Sequence, residues 1–183
     1  MRRVSVAGIS GSGKTTLARA LAERLGVPYV ELDALHHEPN WTEATAAELE
    51  AKVTAAIEAA PDGWVIDGNY RAKLGDLVLS RADTLVWLEL PLGVSLARVA
   101  RRTWRRLRTQ EELWSGNRES IGGLLGPRYG MISWAAQAYF RHKRELPAAI
   151  ARNPHLRVVH LRKAREVEAF LLLERRPGRR SVK

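Results

Sequence analysis

The chain has 183 residues, 45% apolar and 27% charged, which is the balance of a globular protein with one ordinary domain and too little length for two. No apolar run is long enough for a membrane helix, no signal-like apolar stretch follows Met1-Arg2-Arg3, and the absence of cysteine excludes disulfides, thiolate nucleophiles and cysteine metal sites, so a cytoplasmic protein fits. The net charge of +10 is uneven: residues 1–97 carry nine Lys/Arg and thirteen Asp/Glu (−4), residues 98–183 twenty-one and seven (+14), which points to an anionic partner such as polyphosphate, nucleic acid or a membrane surface.

In chain order, Val4-Ser5-Val6-Ala7 reads as a buried strand, followed by a glycine-rich turn and a helix to about Leu25, where Gly26 is a stop signal. Residues 27–32 form a second strand and 33–41 a polar loop. Thr42 is placed to cap an Ala/Glu-rich helix running to about Ala60, ahead of Pro61. Residues 64–67 and 84–90 are the third and fourth strands, and a helix starts near Leu92. Five glycines and Pro127 make 109–130 a connection, followed by a helix from Met131 to about Ala151, a strand at 157–161 and a helix at 165–175. Alternating strands and helices predict an α/β domain over 1–175, a parallel sheet with helices on both faces, and a basic tail at 176–183.

Gly8-x4-Gly13-Lys14-Thr15 is a complete Walker A pattern, placed after a strand and opening a helix. Average residue usage gives such a match by chance in about half a per cent of chains this long. Glycines allow backbone N–H groups to converge on an anion, and the helix N-terminus adds partial positive charge. The expected ATP contacts are Gly8, Ser10, Gly11, Ser12, Gly13, Lys14, Thr15 and Thr16, with Lys14 reaching the β- and γ-phosphates and Thr15 ligating Mg²⁺. The alternative is a tight turn with an incidental lysine, which accounts for neither Lys14-Thr15 nor the strand before it.

Open parallel sheets bind ligands beyond the carboxyl ends of their strands. Asp33 and Asp67 sit at two such ends. Asp67 resembles a Walker B carboxylate for Mg²⁺, or is a turn-forming residue before Gly68. Asp33 either orients or deprotonates an acceptor hydroxyl, or caps a local turn. His36 and His37 point apart and lack a suitably spaced third ligand, so substrate contact or loop packing is expected rather than metal. Trp41 and Tyr70 either wall the acceptor pocket or pack in the core.

Asp67-Gly68-Asn69-Tyr70-Arg71 resembles the Asp-Gly-Phe-Pro-Arg motif of adenylate kinases, with Asn-Tyr in place of Phe-Pro. That resemblance implies Mg²⁺ organisation by Asp67, a grip on the acceptor phosphate by Arg71, and sheet order 2-3-1-4-5. The Asp33-Ala34-Leu35-His36 stretch resembles gluconate-type sugar-acid kinases. Across about residues 1–170 the chain is similar to adenylate-kinase-related bacterial P-loop proteins often labelled DNA topology modulation proteins.

At 100° per residue, Arg98, Arg101, Arg102, Arg105, Arg106 and Arg108 share an arc of about 160°, opposite Val99, Ala100, Thr103, Trp104 and Leu107. A solvated face is one reading. The other, implied by the adenylate-kinase resemblance, is a lid over about 98–127 that brings Arg98, Arg101 and Arg102, and Arg118 from its returning side, to the transferred phosphate. Guanidinium groups suit phosphate oxygens, and phosphoryl transfer demands charge neutralisation without water. The resulting expectation is an ATP- and Mg²⁺-dependent phosphotransferase with Lys14, Asp33, Arg71, Arg101, Arg102 and Arg118 at work on a nucleotide or nucleoside-like acceptor. A sugar-acid kinase and an ATP- and nucleic-acid-binding regulator are the alternatives, although residues 98–183 contain no recognisable nucleic-acid-binding motif.

Overall fold

The computed structural model describes residues 1–119 and 131–174, with side chains throughout except those of 131–136. Five parallel strands, β1 (Arg3–Gly8), β2 (Tyr29–Glu31), β3 (Trp64–Asp67), β4 (Thr84–Leu88) and β5 (Arg157–Leu161), form one sheet in the order β2-β3-β1-β4-β5. Register places Val6 opposite Asp67 and Gly8 opposite Leu88, so the glycine turn and Asp67 leave the sheet at the same edge.

Side chains alternate across a strand, and the two faces build separate cores. Trp64, Ile66, Leu85 and Trp87 pack with Leu49, Val53 and Leu146 on one face. Val4, Val6, Val65 and Val86 meet Leu17, Leu21 and Phe170 on the other. The helices supplying these partners are α1 (Lys14–Leu25), α3 (Ala46–Glu58), α7 (Met131–Arg152) and α8 (Ala164–Leu173). Coverage of both faces explains why the inner strands read as nearly continuous apolar runs.

Several local expectations are corrected. The helix α3 is capped by Thr45, not Thr42: Thr45 Oγ1 accepts from the Glu48 N–H at 3.3 Å, and Glu48 accepts from the Thr45 N–H at 2.8 Å. That reciprocal box satisfies two amide donors, which Thr42, three residues earlier, cannot do. The segment read as a polar loop contains α2 (Leu32–His36) and a 3₁₀ turn at Pro39–Trp41. Two short helices, α4 (Arg71–Leu74) and α5 (Leu77–Arg81), follow β3. They are too short to carry a helical period. The arginine helix is α6 (Leu92–Thr109), which packs against α7. Trp104, assigned to the apolar side of α6, is 65% exposed. The expected segment 120–127 of the lid and the basic tail lie outside the described residues. Among the described residues no helix is long and apolar enough to cross a membrane.

Candidate functional site

The phosphate loop links β1 to α1 through close backbone contacts that only glycine permits. A Cβ on Gly8 would lie 2.6 Å from Ser12 Oγ, and one on Gly11 would lie 2.3 Å from the Ser95 carbonyl oxygen of α6. Gly13, at φ +91°, precedes α1 without a side-chain cap, so the first amide groups of the helix have no capping oxygen and face outward for an anion. Ser12 is buried with an unpartnered hydroxyl in the same loop.

Asp67, fully buried at the end of β3, faces this loop. Neither carboxylate oxygen completes a hydrogen bond. Burial pushes its carboxyl above the ordinary carboxylate range, and Glu31 and Asp33 add to that, while Lys14 and the Thr15 hydroxyl favour the ionised form. An unsatisfied buried carboxylate beside a Walker A lysine and threonine is a donor set suited to a hard divalent cation, so these residues fit Mg²⁺.

The same arrangement costs stability. A raised folded-state value means that the native protein binds a proton more readily than the unfolded chain, so the penalty is fully present at neutral pH and is relieved as pH falls through the raised value. Asp67→Asn is therefore expected to raise the melting temperature, by about 2–4 °C for each kcal/mol relieved, as scanning calorimetry at neutral pH checks.

Beyond the ends of β2 and β3, the Tyr70 hydroxyl donates to Asp33 Oδ1 at 2.8 Å, and burial together with Asp33 holds the phenol protonated. Arg71 opens α4 beside a cleft lined by Leu32, Gly68, Asn69, Tyr70 and His142, and its Nε is buried without a partner. Gly68, at φ +138°, lets the chain pass Leu32, whose Cβ would lie 2.6 Å from an added methyl group. Asp33, Tyr70 and Arg71 are thus brought to one side of the loop. His36 is buried against Tyr70, and His37 stacks on Trp114 at 5.3 Å, so both histidines pack the loop.

Two turns with the same backbone meet here. Residues 37–43 and 112–118 are each closed by an antiparallel bridge, each holds a 3₁₀ turn, and each has consecutive left-handed residues, Asn40-Trp41 and Ser115-Gly116. Buried Asn117 joins them, accepting from the Trp41 N–H and donating to the Glu38 carbonyl, both at 2.8 Å. The Trp41 indole donates to the Arg118 carbonyl at 3.2 Å, and Ser115 Oγ to the His37 carbonyl at 2.8 Å. Trp41 therefore holds φ +56°, where its counterpart is Gly116. Its ring and amide contacts offset that strain. Asn117 has no sequence signal of its own; the shared turn pattern emerges only in three dimensions.

The arginine face divides. Arg102 Nη2 donates to Ser10 Oγ of the phosphate loop at 3.0 Å, and an Arg98 nitrogen lies 3.7 Å from the Cβ position of Gly13. Burial, with Arg106 beside it, lowers the Arg102 guanidinium from its ordinary value. Arg106 pairs with Glu119 at 2.9 Å, and Arg105 with Glu111 at 3.1 Å. Arg101 is exposed on α6. The Arg118 guanidinium is half exposed and lies 3.8 Å from Glu112. The structure brings Arg98 and Arg102 to the phosphate loop, whereas Arg118 joins the 37–43 and 112–118 turns through its backbone carbonyl.

A family model described as AAA domain matches residues 4–120. Over 111 residues the chain is 29% identical to a cytidylate kinase of Pyrococcus horikoshii, covering 54% of this chain and 56% of that protein. Over 118 residues it is 32% identical to a shikimate kinase of Ruegeria pomeroyi, covering 58% and 60%. Each match thus spans little more than half the length of the relative. A crystal structure of shikimate kinase from Bacteroides thetaiotaomicron shares the fold, with a TM-score of 0.56 over 94% of this chain and 95% of that one at 18% identity. Sheet order, phosphate-loop geometry and the match over residues 4–120 agree, and the chain belongs to the AAA domain family, with similarity to P-loop small-molecule kinases.

Proposed function

We propose that the protein is an ATP-dependent phosphotransferase that moves the γ-phosphoryl group to a small acceptor, a nucleotide or nucleoside-like metabolite. The observation that carries this reading is the buried, unsatisfied Asp67 carboxylate facing Lys14 and Thr15 at the mouth of the phosphate loop. The Thr15 hydroxyl and Asp67 are the groups to hold Mg²⁺, which when bound neutralises charge on the β- and γ-phosphate oxygens. The loop amides and the Lys14 ammonium bind the phosphates of ATP. Arg98 and Arg102, already against the loop, offset charge on the transferring group.

Arg71 supports an anionic acceptor, because its buried Nε lacks a partner beside the cleft. Asp33 would orient an acceptor hydroxyl or accept its proton after giving up the bond from Tyr70. The adenylate-kinase-related assignment rests on Asp67-Gly68-Asn69-Tyr70-Arg71 and on the lid-like placement of α6. The pairing of Arg105 and Arg106 with Glu111 and Glu119 leaves less free charge for a nucleic acid than the sequence count implies, which favours the kinase reading.

The test is phosphoryl transfer from labelled ATP to panels of nucleoside monophosphates, nucleosides and sugar acids. With a monophosphate acceptor, Arg71→Ala is expected to raise the acceptor KM by at least tenfold and to exceed Asp33→Asn in its loss of kcat/KM. A single charged hydrogen bond of about 1.5–3 kcal/mol sets that scale. The opposite ranking at saturating ATP identifies a hydroxyl acceptor without a phosphate. No transfer to any panel, with tight salt-sensitive DNA binding, overturns the kinase reading.

A further inference from the structure

The β1–β3 ladder does not stop where β3 ends. Beyond the Val6–Asp67 pair, the Gly68 N–H reaches the Val6 carbonyl at 3.5 Å, and the next rung is made by a side chain. Asn69 Nδ2 donates to the Gly8 carbonyl, and the Gly8 N–H lies 3.4 Å from Asn69 Oδ1. Gly8 is both the last residue of β1 and the first of the phosphate loop. One amide therefore holds both backbone groups at the point where strand becomes loop.

The orientation of that amide has a further determinant. His142 Nε2, on α7, lies 3.1 Å from Asn69 Oδ1. His142 is half-buried, and burial together with Arg71 and Arg141 pushes its pKa down to about 4, so the ring is neutral at ordinary pH. A neutral ring nitrogen facing a carbonyl oxygen must be the protonated one, so Nε2–H donates and Nδ1 carries no proton. With two donors on Oδ1, the amide has a single satisfied orientation, and Nδ2 is directed at the Gly8 carbonyl.

We propose that His142 is a positioning residue for nucleotide binding: through Asn69 it fixes Gly8 and hence the entry of the phosphate loop. His142 belongs to α7, against which the arginine helix α6 packs, so α6, α7 and the loop share one support. The inference rests on the reading of this loop as the ATP site, and its test separates the two.

ATP affinity is measured by calorimetric titration on the full chain. His142→Leu is expected to weaken ATP binding by about three- to tenfold, the scale of one neutral hydrogen bond. His142→Gln, which keeps an N–H donor, is expected to recover most of it. Asn69→Ala is expected to weaken binding as well, and adding His142→Leu to it to cost little more, because both changes break one chain of contacts. A general packing defect would instead lower the melting temperature without rescue by glutamine and would add to Asn69→Ala. Long-range proton–nitrogen NMR of the wild type is expected to show the Nε2–H tautomer of His142. The Nδ1–H tautomer, ATP affinity within twofold of wild type in folded His142→Leu, or independent effects of the two substitutions overturn the proposal. If the wild type binds no ATP, the functional reading falls, and the tautomer measurement still decides the bond from His142 to Asn69.

Discussion

Lys14→Ala is expected to abolish phosphoryl transfer, with a loss of at least about 10²–10³-fold, while the fold stays intact. Lys14 is the first residue of α1 and partly exposed at the loop, whereas the core of that helix is made by Leu17, Ala18, Leu21 and Ala22. Alanine is the best helix former, so the substitution places no strain on the first turn. What disappears is the ammonium charge on the phosphates and the main positive counterweight to the buried Asp67 carboxylate. Losing one preorganised group that meets developing charge costs on the scale given. Circular dichroism checks the fold and ATP titration checks the ground state. Unchanged turnover in the variant removes the assignment of this loop to ATP.

Arg102→Ala carries the second large effect. The guanidinium is mostly enclosed, donates to Ser10 of the phosphate loop, and comes from α6 rather than from the loop itself. A group so placed meets charge most strongly when the phosphoryl group is in transit, so its loss is expected in kcat, with ATP affinity changed by only a few fold. Arginines in this role are worth around 10³-fold or more. Arg101→Ala, one residue away but exposed, is the internal comparison and is expected to change kcat by less than tenfold. Pre-steady-state kinetics with each variant reads the difference. Equal losses at 101 and 102 would mean that the helix presents its cationic face uniformly and that the contact with Ser10 has no role in transfer.

The arginine helix shows where a wheel diagram stops being informative. Six arginines on one arc identify a cationic face, and the wheel orients that face outward as a block. In the folded chain Ser95, Val99 and Thr103 define the buried stripe. Arg102 and Arg106 flank that stripe and are half-buried with it. One edge of the cationic face therefore points at Ser10 and Glu119 while the rest faces water. No local rule separates Arg101 from Arg102, because the distinction depends on contacts across 92 residues of sequence.

By itself the sequence determined the Walker A loop, the strand–helix alternation, the placement of β3 and β5, and Asp67 as a strand-end carboxylate. Each of these is written in neighbouring residues: glycines that permit a turn, apolar runs that suit strands covered on both faces, and a lysine-threonine pair at a helix start. Only the tertiary structure decided which arginines meet the loop. The docking of the 37–43 turn on the 112–118 turn and the link from His142 through Asn69 to Gly8 were likewise tertiary outcomes. The helix cap at Thr45 was local too, but Thr42 and Thr45 are both capping residue types, and the choice fell to the one with Glu48 three positions on. The general reason is range. Backbone preference and periodicity act over a few residues, whereas Asn69, Asn117 and His142 acquire their roles from polar groups 61 to 79 positions away. Those groups must find partners once packing excludes water.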